Sequence, residues 1–94
     1  MTKLIWSDEA EKNLIEIYEF IAFDSEPRAR EFVRKLKTKA RRLKRFPYSG
    51  RIVPELAEQP GQPREILVQN YRIIYDIHHG GIKIVMVRHG MRLL

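Results

Sequence analysis

The sequence predicts one α+β domain: an N-terminal strand, an antiparallel two-helix hairpin, then a three-stranded antiparallel meander, with the sheet packed on the helices. Two segments between residues 7 and 47 repeat apolar residues at helical spacing, and three strand-like runs follow residue 63. A segment rich in proline and glycine, residues 47–63, separates the two halves. At 94 residues the chain has the length of a single domain, 1–94.

The first half of the chain predicts a strand followed by a helix. The run KLIW, residues 3–6, has the β-branched and aromatic composition of a short strand. The helix is expected over SDEAEKNLIEIYEFIAF, residues 7–23, with Ser7 or Asp8 as its cap and acidic residues in its first turn. Its apolar residues at helical spacing are Ala10, Leu14, Ile17 and Ile21.

A second helix is expected over SEPRAREFVRKLKTKARRLKRFP, residues 25–47. Ser25 or Glu26 caps it, Pro27 lies in the first turn, and Pro47 ends it. The connection of residues 23–26 is short, so the two helices should be antiparallel neighbours. One apolar stripe runs along the second helix: Ala29, Phe32, Val33, Leu36, Ala40 and Leu43.

The second half predicts an irregular loop over residues 47–63 and then the meander. Its strands are expected in REILVQ, YRIIYDIH and IKIVMVR, joined by tight turns at residues 69–70 and 79–81. The middle strand alternates, so one face is strongly apolar and should contact the helices, while the mixed face is where function is expected. The aromatic residues expected in the core are Trp6, Phe32, Phe46 and Tyr75.

Charge is divided between the two helices. The net charge is +6 and the isoelectric point is about 9.9, which favours an anionic partner. Residues 1–26 hold seven acidic and two basic residues, whereas residues 27–45 hold ten basic residues and Glu31. The basic helix is predicted either as a solvated face that balances the acidic helix or as a binding surface for a partner or a nucleic acid.

Several classes of function are disfavoured. The sequence has no cysteine, so disulfides, a thiol nucleophile and cysteine-based zinc sites are excluded. It has no apolar run of transmembrane length and no signal-peptide pattern, so we expect a cytoplasmic protein without a membrane partner. No metal site is expected, because no carboxylate cluster completes a ligand set with His78, His79 and His89. The sequence has no glycine-rich phosphate-binding motif, so we expect neither a nucleotide cofactor nor a small-molecule substrate.

The order of elements, together with particular residues, resembles the RelE/ParE toxins of type II toxin–antitoxin modules. The matching stretches are IWSDEAEKNLIEIYEFI, LKRFPYSGRIVPEL, REILVQNYRIIYDI and VRHGMR, which cover nearly the whole chain. The resemblance implies growth inhibition or plasmid stabilisation, and neutralisation by a cognate antitoxin that wraps the toxin with an otherwise disordered tail. Two molecular targets occur in the family.

One branch is RelE-like and cuts mRNA on the ribosome without a metal. The ribose 2′-OH is the nucleophile, so the protein supplies a base, an acid and cations for the phosphate. By the resemblance, the residues for this role are Arg64, Arg72, His89 and Arg92. RelE itself has two lysines where this chain has Arg64 and Glu65, and the sequence ends before the position of the RelE C-terminal tyrosine.

The other branch is ParE-like and poisons DNA gyrase with no known catalysis of its own. The incomplete acid/base set, the RHGMR ending and the GRIVPEL loop favour this branch. A third reading is a family member that binds its antitoxin without being toxic. In each reading a basic concavity at the end of the last strand is expected to bind an acidic segment or a phosphate, formed by Arg51, Arg64, Arg72, Arg88, His89 and Arg92. Arg72 has an alternative, structural reading as a cross-strand partner of Glu65 or of the neighbours of Asp76.

Overall fold

A computed structural model of the chain describes residues 2–90 and contains one five-stranded sheet. Strand β1 spans Lys3–Trp6, β2 Arg51–Ile52, β3 Arg64–Val68, β4 Tyr71–His78 and β5 Gly81–His89. The order across the sheet is β1-β5-β4-β3-β2, with β1 parallel to β5 and every other pair antiparallel. The predicted α+β fold is confirmed.

Two helices form the predicted hairpin. Helix α1 spans Asp8–Ala22 and helix α2 spans Glu26–Arg41, with a short 3₁₀ turn at Arg42–Lys44. Of the alternative N-caps, the two serines cap the helices: the Ser7 hydroxyl accepts from the Ala10 amide, and the Ser25 hydroxyl accepts from the Arg28 amide. The side chains of these two serines therefore fix where both helices begin.

The core lies between the helices and the inner face of the sheet. The predicted apolar residues Leu14, Leu36 and Leu43 are buried there against Ile73 and Tyr75 of β4. Aromatic residues Trp6 and Phe32 are partly buried against the same cluster. The prediction for Phe46 is wrong, because it follows the 3₁₀ turn in which Leu43 takes the buried position, and its side chain is exposed.

The predicted irregular loop, residues 47–63, contains regular structure. Residues Arg51 and Ile52 pair with Glu65 and Arg64, which adds β2 to the edge of the sheet, and a 3₁₀ turn follows at Pro54–Leu56. The prediction was wrong in these two elements because two-residue pairing depends on a contact distant in sequence. The 3₁₀ turn lies over the outer face of the sheet, where Glu55 contacts Arg72 of β4.

The last strand contains a β-bulge. Ile74 pairs with Met86 and Tyr75 with Ile84, so Val85 is the extra residue of β5. The Ser7 hydroxyl donates to the Val85 carbonyl at 2.7 Å. The same hydroxyl thus caps α1 and holds the bulge, which connects the start of the helix to the strand that leads to His89.

Candidate functional site

The two faces of β4 have different chemistry, as the alternation predicted. Ile73 and Tyr75 contact the helices, whereas Arg72 and Ile74 belong to the outer face. On that face Arg72 lies between Leu67 of β3 and Arg88 of β5 in the strand register. The outer face therefore carries two arginines side by side on neighbouring strands.

Arg72 is the centre of a buried ionic network. Its Nε donates to Glu65 Oε1 at 2.6 Å, and its Nη1 and Nη2 donate to the two carboxylate oxygens of Glu55 at 2.9 and 2.7 Å. The second oxygen of Glu65 accepts from Arg51 Nε at 2.7 Å. Arg72 is 5% exposed and Glu65 1%, so the centre of this network is out of contact with solvent, whereas the side chains of Glu55 and Arg51 are 27% and 61% exposed.

Charge pairing compensates for the free-energy cost of burying Arg72 and Glu65. An ion in a protein interior is costly unless a well-oriented partner compensates for lost hydration, and the two-point contact of Arg72 with Glu55 is such an arrangement. Hydrogen bonding to Arg72 lowers the pKa of Glu55 to about 2, and the same contact raises the pKa of Arg72 above its usual value. Both groups are therefore charged at neutral pH.

A groove of about 500 Å³ borders the network on the outer side of the sheet. We call it the sheet groove. Three of the predicted site residues, Arg51, Arg72 and His89, line it. Its other lining residues are Glu55, Leu67, Gln69, Asn70 and Gly90. It therefore differs from the expected basic concavity, because the Glu55 carboxylate also lines it.

The remaining predicted site residues lie elsewhere. Arg64 donates to the Gly50 carbonyl at 2.7 Å and its guanidinium lies 5.0 Å from the centre of the Tyr48 ring. Arg88 opposes Arg72 in the register but does not line the groove. Arg92 lies outside the described residues. Whether any of the predicted residues binds a partner stays a prediction.

The loop that supplies Arg51 is anchored through Tyr75. The Tyr75 hydroxyl accepts from the Gly50 amide at 3.0 Å and donates to the Pro47 carbonyl at 2.7 Å. A Cβ at Gly50 would lie 2.5 Å from the Glu65 carbonyl oxygen and 2.6 Å from the Tyr75 hydroxyl. Glycine is thus required where the loop approaches β3 and β4, and burial raises the pKa of Tyr75, which keeps its proton available to Pro47.

His89, which lines the groove, packs against the strand that begins at Tyr71. Its ring lies 5.4 Å from the Tyr71 ring in an edge contact, and Tyr71 in turn lies 5.5 Å from Phe32 of α2. The Gly90 amide donates to the Asn70 carbonyl at 2.6 Å. These contacts hold the end of β5 beside the turn between β3 and β4.

Glu55 is the participant that sequence reasoning missed. It follows Pro54 in a loop predicted to be irregular, and its partner Arg72 is 17 positions away. The only signal was that Glu55 and Glu65 are two of the four acidic residues in the part of the chain that supplies the predicted cations, residues 51–92. No group of three potential metal ligands occurs within residues 2–90, and none of the helices there is long and apolar enough to cross a membrane.

Comparison with known proteins gives the class and then the family. A chain of the solved chromosomal ParDE TA system from P. aeruginosa has the same fold, with a TM-score of 0.78 and 19% sequence identity over 95% of this chain and 96% of that chain. The family model described as ParE toxin of type II toxin-antitoxin system, parDE, matches residues 4–94. The chain therefore belongs to the ParE toxin family of type II toxin–antitoxin systems. A search of curated proteins finds no significant match.

Proposed function

We propose that this chain is a cytoplasmic toxin that inhibits DNA gyrase without catalysing a reaction, and that a cognate antitoxin neutralises it. Family membership supports the toxin–antitoxin role. The pairing of Arg72 with carboxylates supports the non-catalytic mechanism, because a ribonuclease on this face would need that cation for the scissile phosphate. Here its guanidinium is buried and donates to both Glu55 and Glu65.

The sheet groove is the surface we assign to target contact. Arg51 keeps about 61% of its side chain exposed while its Nε holds Glu65, so much of its guanidinium faces solvent. An acidic side chain of a partner that entered the groove would meet Arg51 and His89, which both line it. In this reading Arg72 has a structural role, because it is paired with Glu55 and Glu65. The exposed guanidinium of Arg51 attracts the acidic partner.

One observation favours a ribosome-dependent ribonuclease as the second candidate. His89, which can donate or accept a proton, lines the same groove as Arg51 and Arg72. A phosphate would have to displace Glu55 from Arg72 to use that cation. This alternative therefore requires the Glu55 contact to open, whereas gyrase inhibition does not.

The test is to induce the chain in a bacterial host without its antitoxin and to pulse-label DNA and protein synthesis within minutes. The expected result is an early loss of DNA synthesis in the host, together with DNA cleavage by gyrase when the purified protein is added to it. Early arrest of protein synthesis with cleaved mRNA would replace gyrase by the ribosome as the target. Unchanged synthesis of both, with retained antitoxin binding, would identify a family member that is not toxic.

A further inference from the structure

A pocket of about 380 Å³ lies where the end of α2 meets β3. We call it the end pocket. Its apolar lining residues are Leu43, Phe46, Ile66, Leu67 and Val68. Its polar lining residues are Lys39, Arg42 and Ser49, and no carboxylate from residues 2–90 lines it. The end pocket therefore combines apolar surface with positive charge, and it differs from the sheet groove, which Glu55 also lines.

The two cations of the end pocket have no acidic partner among residues 2–90. Neither Lys39 nor Arg42 forms an ion pair there. The surrounding stretch, residues 32–54, holds nine basic residues and no acidic one. The carboxylate of β3, Glu65, is buried and accepts from two other arginines instead. An anionic ligand in the end pocket would therefore meet uncompensated positive charge.

Two exposed aromatic side chains lie at this end of the molecule. Phe46 lines the end pocket and is 55% exposed, and Tyr48, two positions further on, is 69% exposed. The Arg64 guanidinium lies over the Tyr48 ring, 5.0 Å from its centre. Exposed rings beside cations are typical of surfaces that bind single nucleic-acid strands, because bases stack on the rings while the cations meet the phosphates.

The turn that carries both rings is held by hydrogen bonds. The Ser49 amide donates to the Phe46 carbonyl at 3.1 Å. The Tyr75 hydroxyl also bonds to the backbone of Pro47 and Gly50. The backbone that carries the rings is therefore ordered before a ligand arrives, which lowers the entropy lost on binding.

We propose that the end pocket binds a single-stranded nucleic acid, with phosphates at Lys39 and Arg42 and bases stacked on Phe46 and Tyr48. Stacking of this kind tolerates any sequence, since every base has a π-face. A duplex would offer the phosphates but keep its bases stacked on one another. An acidic peptide would satisfy the cations and leave the two rings exposed. The combination of rings and cations therefore favours a single strand.

The end pocket adjoins the sheet groove, since Leu67 lines both. A strand of several nucleotides would therefore extend from one towards the other. A target that acts on a nucleic acid, as gyrase and the ribosome do, would present such a strand beside the protein that contacts the sheet groove. The inference goes beyond the proposed function, which requires only a protein contact through that groove.

The first experiment measures phosphate contacts through their salt dependence. The purified full chain is titrated against a fluorescent oligothymidylate of about 15 nucleotides, a length within the usual range of such sites. The pocket variant is Lys39→Gln with Arg42→Gln. The control is Arg34→Gln with Lys37→Gln, which has the same spacing, residue types and change of charge but lines a different pocket.

The expected difference is in the slope of log affinity against log salt concentration. Each phosphate contact with a single strand contributes about 0.7 to that slope, so the pocket variant should reduce it by about 1.4. The control should change the slope by less than about half that amount. Thermal unfolding of every variant establishes that each one folds, since none of the substituted side chains is buried.

The second experiment measures stacking with an abasic oligonucleotide of the same length, which has the phosphates without the bases. Phe46→Ala should raise Kd for oligothymidylate about fivefold or more and leave Kd for the abasic strand nearly unchanged. The control is Phe23→Ala, which removes an exposed ring at the end of α1 outside the end pocket. This control should change neither Kd.

Each outcome has a defined meaning. Equal slopes for the pocket variant and its control, or equal effects of Phe46→Ala on the two strands, would overturn the proposal. Equally tight binding of a duplex or of a polyglutamate peptide would also overturn it, the latter in favour of an acidic protein. Oligouridylate of the same length distinguishes RNA from DNA as the source of the strand, and tighter binding of either one supports the proposal. A negative result in the labelling experiment would leave this inference unchanged.

Discussion

Glu55 and Arg72 form a two-point ion pair that fastens the 3₁₀ turn after β2 to the outer face of β4. Glu55 Oε1 lies 2.7 Å from Arg72 Nη2, and Oε2 lies 2.9 Å from Nη1. The contact closes a loop that is also held to the sheet by two residues of β2, by the Tyr75 hydroxyl and by the Arg64 guanidinium. Stability and the shape of the sheet groove therefore depend on the same pair.

Loss of the Arg72 guanidinium should destabilise the protein strongly. Arg72→Met leaves buried Glu65 with Arg51 as its remaining cation and leaves Glu55 without Arg72. Breaking a buried ion pair by removing one partner costs about 3–5 kcal/mol of unfolding free energy. Urea unfolding at neutral pH measures this change.

The matched control for that prediction is Arg88→Met, on the neighbouring strand. Arg88 faces Arg72 across the register but forms no ion pair within residues 2–90. Its replacement should change the unfolding free energy by no more than about 0.5 kcal/mol. Equal losses from the two variants would show that the Arg72 network contributes nothing specific.

Acid should release the Glu55 contact. The folded-state pKa of Glu55 is about 2, below its usual value of 4.5, so the ion pair adds stability above pH 4.5 that is lost as pH falls toward 2. Glu55→Gln should make stability less dependent on pH within that window. The measurement is the unfolding free energy at several pH values between 2 and 6.

The control for the acid prediction is Glu58→Gln in the same loop. Glu58 is exposed and makes no ion pair with any residue from 2 to 90, so its replacement should preserve the original pH dependence. If Glu55→Gln left the profile between pH 2 and 4.5 unchanged, the Arg72 contact would not be maintained in solution.

Gly50→Ala should destabilise the loop. The added Cβ would lie within 2.6 Å of both the Glu65 carbonyl oxygen and the Tyr75 hydroxyl, so either the loop or β3 must shift. Overpacking of this kind costs about 1–3 kcal/mol.

Gly61→Ala is the comparison, because Gly61 has a φ of 81° but no atom within 4 Å of its added Cβ. It should lose only about 1 kcal/mol from backbone strain. Thermal unfolding compares the two, and a larger loss at Gly61 would contradict the packing argument.

The sequence determined the fold where the signals were local. Apolar spacing located both helices, and alternation assigned Ile73 and Tyr75 to the inner face of β4. Contacts between distant segments were not readable: the pairing of Arg51 with Glu65 that forms β2, and the contact of Glu55 with Arg72. Composition identified the cations of the site, but a cation that is paired and one that is free have the same sequence signature. That is why Arg72 was predicted either for binding or as a cross-strand partner of Glu65, and only its contact with Glu55 was not expected.

The last prediction concerns the exposed cation of the sheet groove. Arg51→Gln should cost at most about 1 kcal/mol of stability, because the guanidinium is exposed and Glu65 keeps Arg72 as a partner. The effect of Arg51→Gln on toxicity should be larger than its effect on stability.

A charge pair across an interface contributes more than about 1.4 kcal/mol, so the concentration of the Arg51→Gln variant that half-inhibits gyrase should rise about tenfold or more. Arg45→Gln, an exposed arginine outside the groove, should leave inhibition unchanged. Equal inhibition by all three proteins would remove Arg51 from the contact surface and leave the gyrase assignment to the labelling experiment.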